Sequence, residues 1–171
     1  MKKIIIKYGM YGVAVMFVIS LCSFLTFKNK HNWELQEIIG YTTIVLSLLF
    51  VYFGIRHWRD KHNAGLLSFG RGLGLGSLIS LFPSIAFGLF TLIEMNFLDP
   101  EFSDKFYNYQ IEKVKKTTSP AELQATLQKI ADEKEMFSSP FAQFFFMFLI
   151  VFVIGFIISI ISALILRRNK K

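Results

Sequence analysis

At 171 residues the chain fits one domain, but 53 % hydrophobic residues and 20 phenylalanines exclude an ordinary soluble domain of that size. A formal charge of +7 would suggest a nucleic-acid partner, yet the cations hug the ends of apolar runs and no soluble domain remains to carry a nucleic-acid face. The single cysteine, Cys22, lies inside an apolar run, which excludes an internal disulfide and points to no redox chemistry.

Four apolar runs reach the roughly 20 residues that a helix needs to cross a bilayer, at residues 8–27, 38–55, 73–93 and 141–166. The expected fold is therefore all-α and polytopic: four transmembrane helices, with an extracytoplasmic helical insert over 99–140, in one membrane domain spanning 1–171. The first run follows Lys2, Lys3 and Lys7 and is longer than the apolar core of a secretory signal. The bulky Leu21 before Cys22 does not fit a lipoprotein processing site, so the run reads as a retained span. A short segment with Lys28, Lys30, Glu34, Glu37 and the interfacial anchor Trp33 then makes the first two spans an antiparallel hairpin.

The second span carries Gly40, Ser47 and Gly54 at intervals of seven, which suits a left-handed neighbour. Segment 56–72 is the most basic stretch. Arg56, Arg59, Lys61 and Arg71 are candidate contacts to anionic headgroups, with Trp58 at headgroup level and glycines at 65, 70 and 72 loosening the start of the next span. His57 and His62 invite a metal, but a spacing of five does not place both on one helix face, and no HExxH or cysteine partner accompanies them. They read as solvated loop histidines. The glycine run ending at Gly76 lacks the preceding strand and the following Lys-Ser/Thr of a phosphate loop.

The third span has the most specific internal pattern. Gly72, Gly76, Ser80, Ser84 and Gly88 recur every four residues, and the fourth span answers with Gly155, Ser159 and Ala163. Small residues at that interval let helix backbones approach closely, which is how membrane helices associate without a hydrophobic drive between them. The rows either pack one bundle or make a contact to a second chain. Pro83, mid-span, removes a backbone donor, frees the carbonyl of Ile79 and predicts a kink. Glu94 is the ionisable residue nearest a span interior. It reads either as an interfacial carboxylate, being five residues before Asp99, or as a proton or ion site.

In the insert, Asp99-Pro100 predicts a cap and first-turn proline, and Tyr107, Ile111 and Val114 form a stripe at helical spacing. Ser119 to Glu122 is a capping box with Pro120 at the first helical position, and Leu123, Leu127 and Ile130 repeat the stripe before Ser138-Ser139-Pro140 closes the segment. Two amphipathic helices are expected here, with eight acids against six lysines.

Charge then sets the expected topology. Lys2, Lys3, Lys7, Arg56, Arg59, Lys61, Arg71, Arg167, Arg168, Lys170 and Lys171 fall on alternate hydrophilic segments with a single acid, Asp60. Lys and Arg near helix ends resist translocation, so both termini and the second connection are expected in the cytoplasm of a bacterium, with the chain in its inner membrane.

Several stretches also resemble a known family. They are Phe53-Gly54-Ile55-Arg56, Arg59-Asp60-Lys61, Asn63-x-Gly65, Ser68-Phe69-Gly70, the Ile-Glu-Lys-Val-Lys run after Tyr107, and Ile160 to Arg168 with Gly155 before it. They are similar to the domain-of-unknown-function 4199 family of small Bacteroidota inner-membrane proteins, over nearly the whole chain. The resemblance implies four membrane helices with an extracytoplasmic insert and supplies no catalytic residue. The leading functional expectation is a non-enzymatic scaffold or accessory subunit without cofactor or metal. Its partners would be a bilayer with anionic headgroups and a second copy or another envelope membrane protein, not nucleic acid. The alternative is a small transporter or channel-like protein that uses Glu94 and the Pro83 kink.

Overall fold

The structure, a computed structural model, describes residues 1–27 and 32–168. Lys28, Lys30, Lys170 and Lys171 lie outside the described residues. The described chain is helical, in the order α1 (Lys2–Phe27), α2 (Trp33–His62), α3 (Phe69–Ile93), a π-turn (Glu94–Leu98), α4 (Phe102–Thr117), α5 (Pro120–Met136) and α6 (Pro140–Leu166). Four helices are long and apolar enough to cross a membrane: α1, α2, α3 with its π-turn, and α6.

Several helix ends have a local chemical reason. Asn32 caps α2 by accepting a 3.2 Å hydrogen bond from the amide of Leu35. At the other end Ala64 and Gly65 turn left-handed (φ 49° and 77°), the Gly65 amide reaches back to the Arg59 carbonyl at 2.9 Å, and the Asn63 side chain holds the Leu66 carbonyl at 2.6 Å. Ser139 caps α6 through a 3.2 Å bond from the amide of Ala142, with Pro140 in the first helical position. Ser119 and Pro120 start α5 as the capping box predicts, except that Ser119 Oγ donates to the Glu122 carboxylate at 3.2 Å.

The helical start predicted at Asp99-Pro100 falls two residues later, because the Asp99 amide closes the π-turn on the Glu94 carbonyl (2.8 Å) and Asp99 accepts a turn bond from Phe102 (2.9 Å). A side-chain bond accompanies the π-turn: Asn96 Nδ2 donates to the Leu92 carbonyl at 2.8 Å.

The chain divides into two compact units, Met1–Phe87 with Met147–Lys171, and Gly88–Phe146. The first unit is built from α1, α2, most of α3 and most of α6. Its core contains Leu48, Val51, Ile55, Leu75, Ile79 and Val151, while Ile85, Val153, Ile157 and Ile161 stand exposed on the outer faces. Contiguous apolar surface on that scale suits acyl chains rather than water. At one end of this unit Tyr8 of α1 lies against His57 of α2, ring centroids 5.7 Å apart, and Leu67 pairs with Arg168 through two backbone bonds of 2.8 and 3.0 Å. The start of α1, the α2–α3 connection and the end of α6 therefore share that end.

The second unit contains the end of α3, the π-turn, α4, α5 and the start of α6. The two predicted stripes meet there. Tyr107 and Ile130 are buried (7 % and 8 % exposed) and Ile111, Val114, Leu123 and Leu127 half-buried, and Lys134 Nζ crosses to Asp104 Oδ1 at 2.6 Å.

Candidate functional site

The small-residue rows of α3 and α6 face each other in antiparallel register within the first unit. A Cβ placed on Gly72 would lie 2.9 Å from the Ala163 Cβ, one on Gly76 would lie 2.6 Å from Ser159 Oγ, and one on Gly155 would lie 2.5 Å from the Ser80 Cβ. Ser80, Ser84 and Ser159 are fully buried, and each donates its hydroxyl within its own helix, to Ser77, Ser80 and Gly155 carbonyls at 2.9, 2.7 and 2.7 Å. Their polarity is thus satisfied without a partner helix, and what they contribute across the seam is small size. Gly88 continues the row into the second unit, where an added Cβ would lie 2.9 Å from the Phe144 carbonyl.

Sequence reasoning missed the close approach of α1. A Cβ on Gly12 would lie 2.8 Å from the Ser47 carbonyl and 3.6 Å from Pro83 Cγ, and one on Gly9 would lie 2.6 Å from the Phe82 ring. Pro83 is fully buried and α3 continues past it to Ile93. Of the seven-spaced row on α2, Gly54 abuts Ile79 (2.5 Å to an added Cβ), whereas Gly40 has open space beside it.

Of the basic set, Arg56, Lys61 and Arg71 are exposed, and Arg59 is half-buried. Arg59 Nε pairs with Asp60 at 2.6 Å while its Nη1 reaches the Leu166 carbonyl at 3.4 Å, so it ties α2 to the end of α6. Arg56 Nε lies 3.7 Å from the same aspartate. Trp58 is 8 % exposed and belongs to the same core as Leu67 and Leu166. The histidines also differ from expectation. His57 and His62 are both on α2, not in a loop, with ring centroids 5.6 Å apart. Among the described residues no three His, Cys, Asp or Glu side chains gather as a metal site would require.

Glu94 is half-buried and opens the π-turn. Two residues on, Asn96 begins a polar chain within the second unit. Its Nδ2 donates to Gln143 Oε1 at 2.8 Å, and Gln143 Nε2 donates to the Phe137 carbonyl at 3.1 Å. Because the Leu92 carbonyl requires the Asn96 nitrogen at its position, the orientation of both amides follows. Neither Asn96 nor Gln143 belonged to any pattern in the sequence, since each acquires meaning only when the start of α6 meets the end of α3.

These amides border an open cleft of about 560 Å³, lined also by Ser103, Lys134, Glu135 and Ser138. Its apolar wall includes Met95, Pro100 and Phe137. Beside it, Lys105 bonds Asp99 (3.1 Å) and Glu101 (3.2 Å), and those bonds hold its ammonium above the ordinary lysine range. Burial, with the Glu133 carboxylate second, pushes the Tyr107 phenol up from its usual value.

The geometry thus offers a tight helix seam, a basic end and a polar cleft. Comparison with curated proteins and with solved structures gives no match. Among protein families, residues 7–168 match one described as protein of unknown function (DUF4199), over nearly the whole chain. With helices apolar enough for a bilayer and a match of that extent, the chain belongs to the DUF4199 family.

Proposed function

We propose that this is a multi-pass protein of the bacterial inner membrane, with four spans and both termini in the cytoplasm, acting as a non-enzymatic scaffold or accessory subunit through its extracytoplasmic helices α4 and α5. The topology rests on charge. Arg59, Lys61, Arg71 and Arg168 belong to the end of the first unit that also holds the start of α1, and cations near helix ends resist translocation. With α3 and α6 each crossing once, the α4–α5 segment then lies outside.

The single observation that carries the scaffold reading is the α3–α6 seam. The rows that would most readily recruit a second chain are already filled by each other (Gly76 on Ser159, Gly155 on Ser80), which leaves the α4–α5 pair as the surface for a partner. The basic end would rest on anionic headgroups of the inner leaflet. Transport through Glu94 is the competing reading, and its support is the half-buried carboxylate at the π-turn.

Glu94→Gln separates the two. In proteoliposomes carrying a pH gradient, a scaffold gives the same low flux for the wild type and Glu94→Gln. A pH-dependent flux that Glu94→Gln abolishes would assign the protein to transport.

A further inference from the structure

The cleft of the second unit has features that a protein-docking face does not need. At about 560 Å³ it lies within the roughly 300–1,000 Å³ typical of small-molecule sites. Its polar floor is built in advance: Gln143 is 7 % exposed and held by two hydrogen bonds. Valence shows what those amides still offer. Both N–H groups of Asn96 are used, on Leu92 and Gln143, so its Oδ1 remains as an acceptor; Gln143 Nε2 has spent one N–H on Phe137 and keeps the other as a donor.

The cleft thus offers acceptors (Asn96 Oδ1, the Glu135 carboxylate) and donors (Gln143 Nε2, the Lys134 ammonium, the hydroxyls of Ser103 and Ser138). Charge is balanced against a simple anion site, because Lys134 already sits 2.6 Å from Asp104 and Glu135 adds a second carboxylate.

The surroundings decide where a ligand would come from. Phe97 and Phe141 are 75 % and 76 % exposed, and they flank the lining residues Asn96 and Gln143 in sequence. Both belong to the ends of helices long and apolar enough to cross a membrane. Rings that exposed suit acyl chains, so an occupant with an apolar part fits a cleft lined by their chain neighbours.

We infer that this cleft binds the headgroup of a zwitterionic phospholipid, a phosphoethanolamine, its phosphate against Lys134, Ser138 and the free N–H of Gln143 and its ammonium against Glu135 and Asn96 Oδ1. Placing that lipid in the outer leaflet rests on the proposed topology; the binding chemistry does not. An anionic lipid would place its uncompensated charge near both Asp104 and Glu135, which disfavours it. The exposed phenylalanines seat the first methylenes of the acyl chains.

The test uses the full chain in mild detergent, titrated separately with dioleoyl phosphatidylethanolamine, dioleoyl phosphatidylglycerol and soluble phosphoethanolamine, and read by native mass spectrometry together with thermal unfolding. The expected result is a single-lipid adduct with phosphatidylethanolamine that raises the unfolding temperature. Glu135→Gln should weaken that adduct about tenfold, a change of about 1.4 kcal/mol, and Gln143→Leu should weaken it as much or more. Lys116→Gln, exposed and outside the cleft, should leave it unchanged. If Gln143→Leu does not fold, Glu135→Gln still decides, because Glu135 is exposed.

Equal adducts with phosphatidylglycerol, equal binding of soluble phosphoethanolamine, or an adduct indifferent to Glu135→Gln would each overturn the inference. Cysteine labelling at position 116 reads the topology separately: a lipid adduct with a cytoplasmic position 116 would move the site to the inner leaflet and refute the topology alone.

Discussion

Gly76 and Gly74 stand two residues apart on α3 and make opposite demands. A Cβ on Gly76 would lie 2.6 Å from Ser159 Oγ, while beside Gly74 there is open space. Gly76→Leu must push α6 away, and overpacking of this kind costs about 1–3 kcal/mol. We expect it to lower the thermal unfolding temperature in detergent by several degrees, and Gly74→Ala, which gains helix propensity in open space, not to lower it. An unchanged unfolding temperature for Gly76→Leu would contradict the seam. The rows were legible in the sequence because an interval of four is a property of one helix alone; that the two meet each other was not. Gly9 and Gly12 were not, since they repeat nothing and matter only because Phe82 and Pro83 lie opposite them. Gly40 shows the converse, as a member of a regular row that meets nothing.

Tyr107 supplies a pH prediction at the same scale. Its phenol is raised above the usual value by burial and then by Glu133, so the folded chain holds the proton where the unfolded chain loses it. Stability from this group is complete below the ordinary tyrosine pKa, about 10, and falls as pH rises from there through the folded value. In a phenolate-absorbance titration, the difference between wild type and Tyr107→Phe should show one tyrosine ionising later than a free phenol. A difference transition at or below the ordinary value would contradict the buried stripe.

At the scale of elements, helix existence followed from periodicity, and boundaries followed from bonds the periodicity does not encode. The stripes at Tyr107 and Ile130 did meet, and Ser119-Pro120 did begin α5. The π-turn was invisible, and the bonds beside it run from Asn96 to the Leu92 carbonyl and to Gln143, which is distant in sequence. Asn96→Ala removes both bonds and leaves Gln143 Oε1 without that donor. The cost expected is about 1–3 kcal/mol, seen as a lower unfolding temperature together with faster amide exchange at the end of α3. No change in either would mean that the turn is set elsewhere. Trp58 fits the same pattern. Its setting among basic residues suggests an interface, but it is buried in a core that includes Leu166, distant in sequence.

At the scale of the whole molecule, two independent observations meet. Cations concentrate on alternate hydrophilic segments, and the first unit brings the start of α1, the α2–α3 connection and the end of α6 to one end. Four crossings, as proposed, would make those statements equivalent. The side of the membrane to which α4 and α5 belong is therefore decisive. The direct measurement is labelling of single cysteines by a membrane-impermeant maleimide in a Cys22→Ala background, using Lys116→Cys on α4 and Lys61→Cys at the end of α2, both exposed positions. The account predicts that Lys116→Cys labels in intact spheroplasts and that Lys61→Cys labels only after lysis; the reverse pattern, or labelling of both from one side, would contradict it.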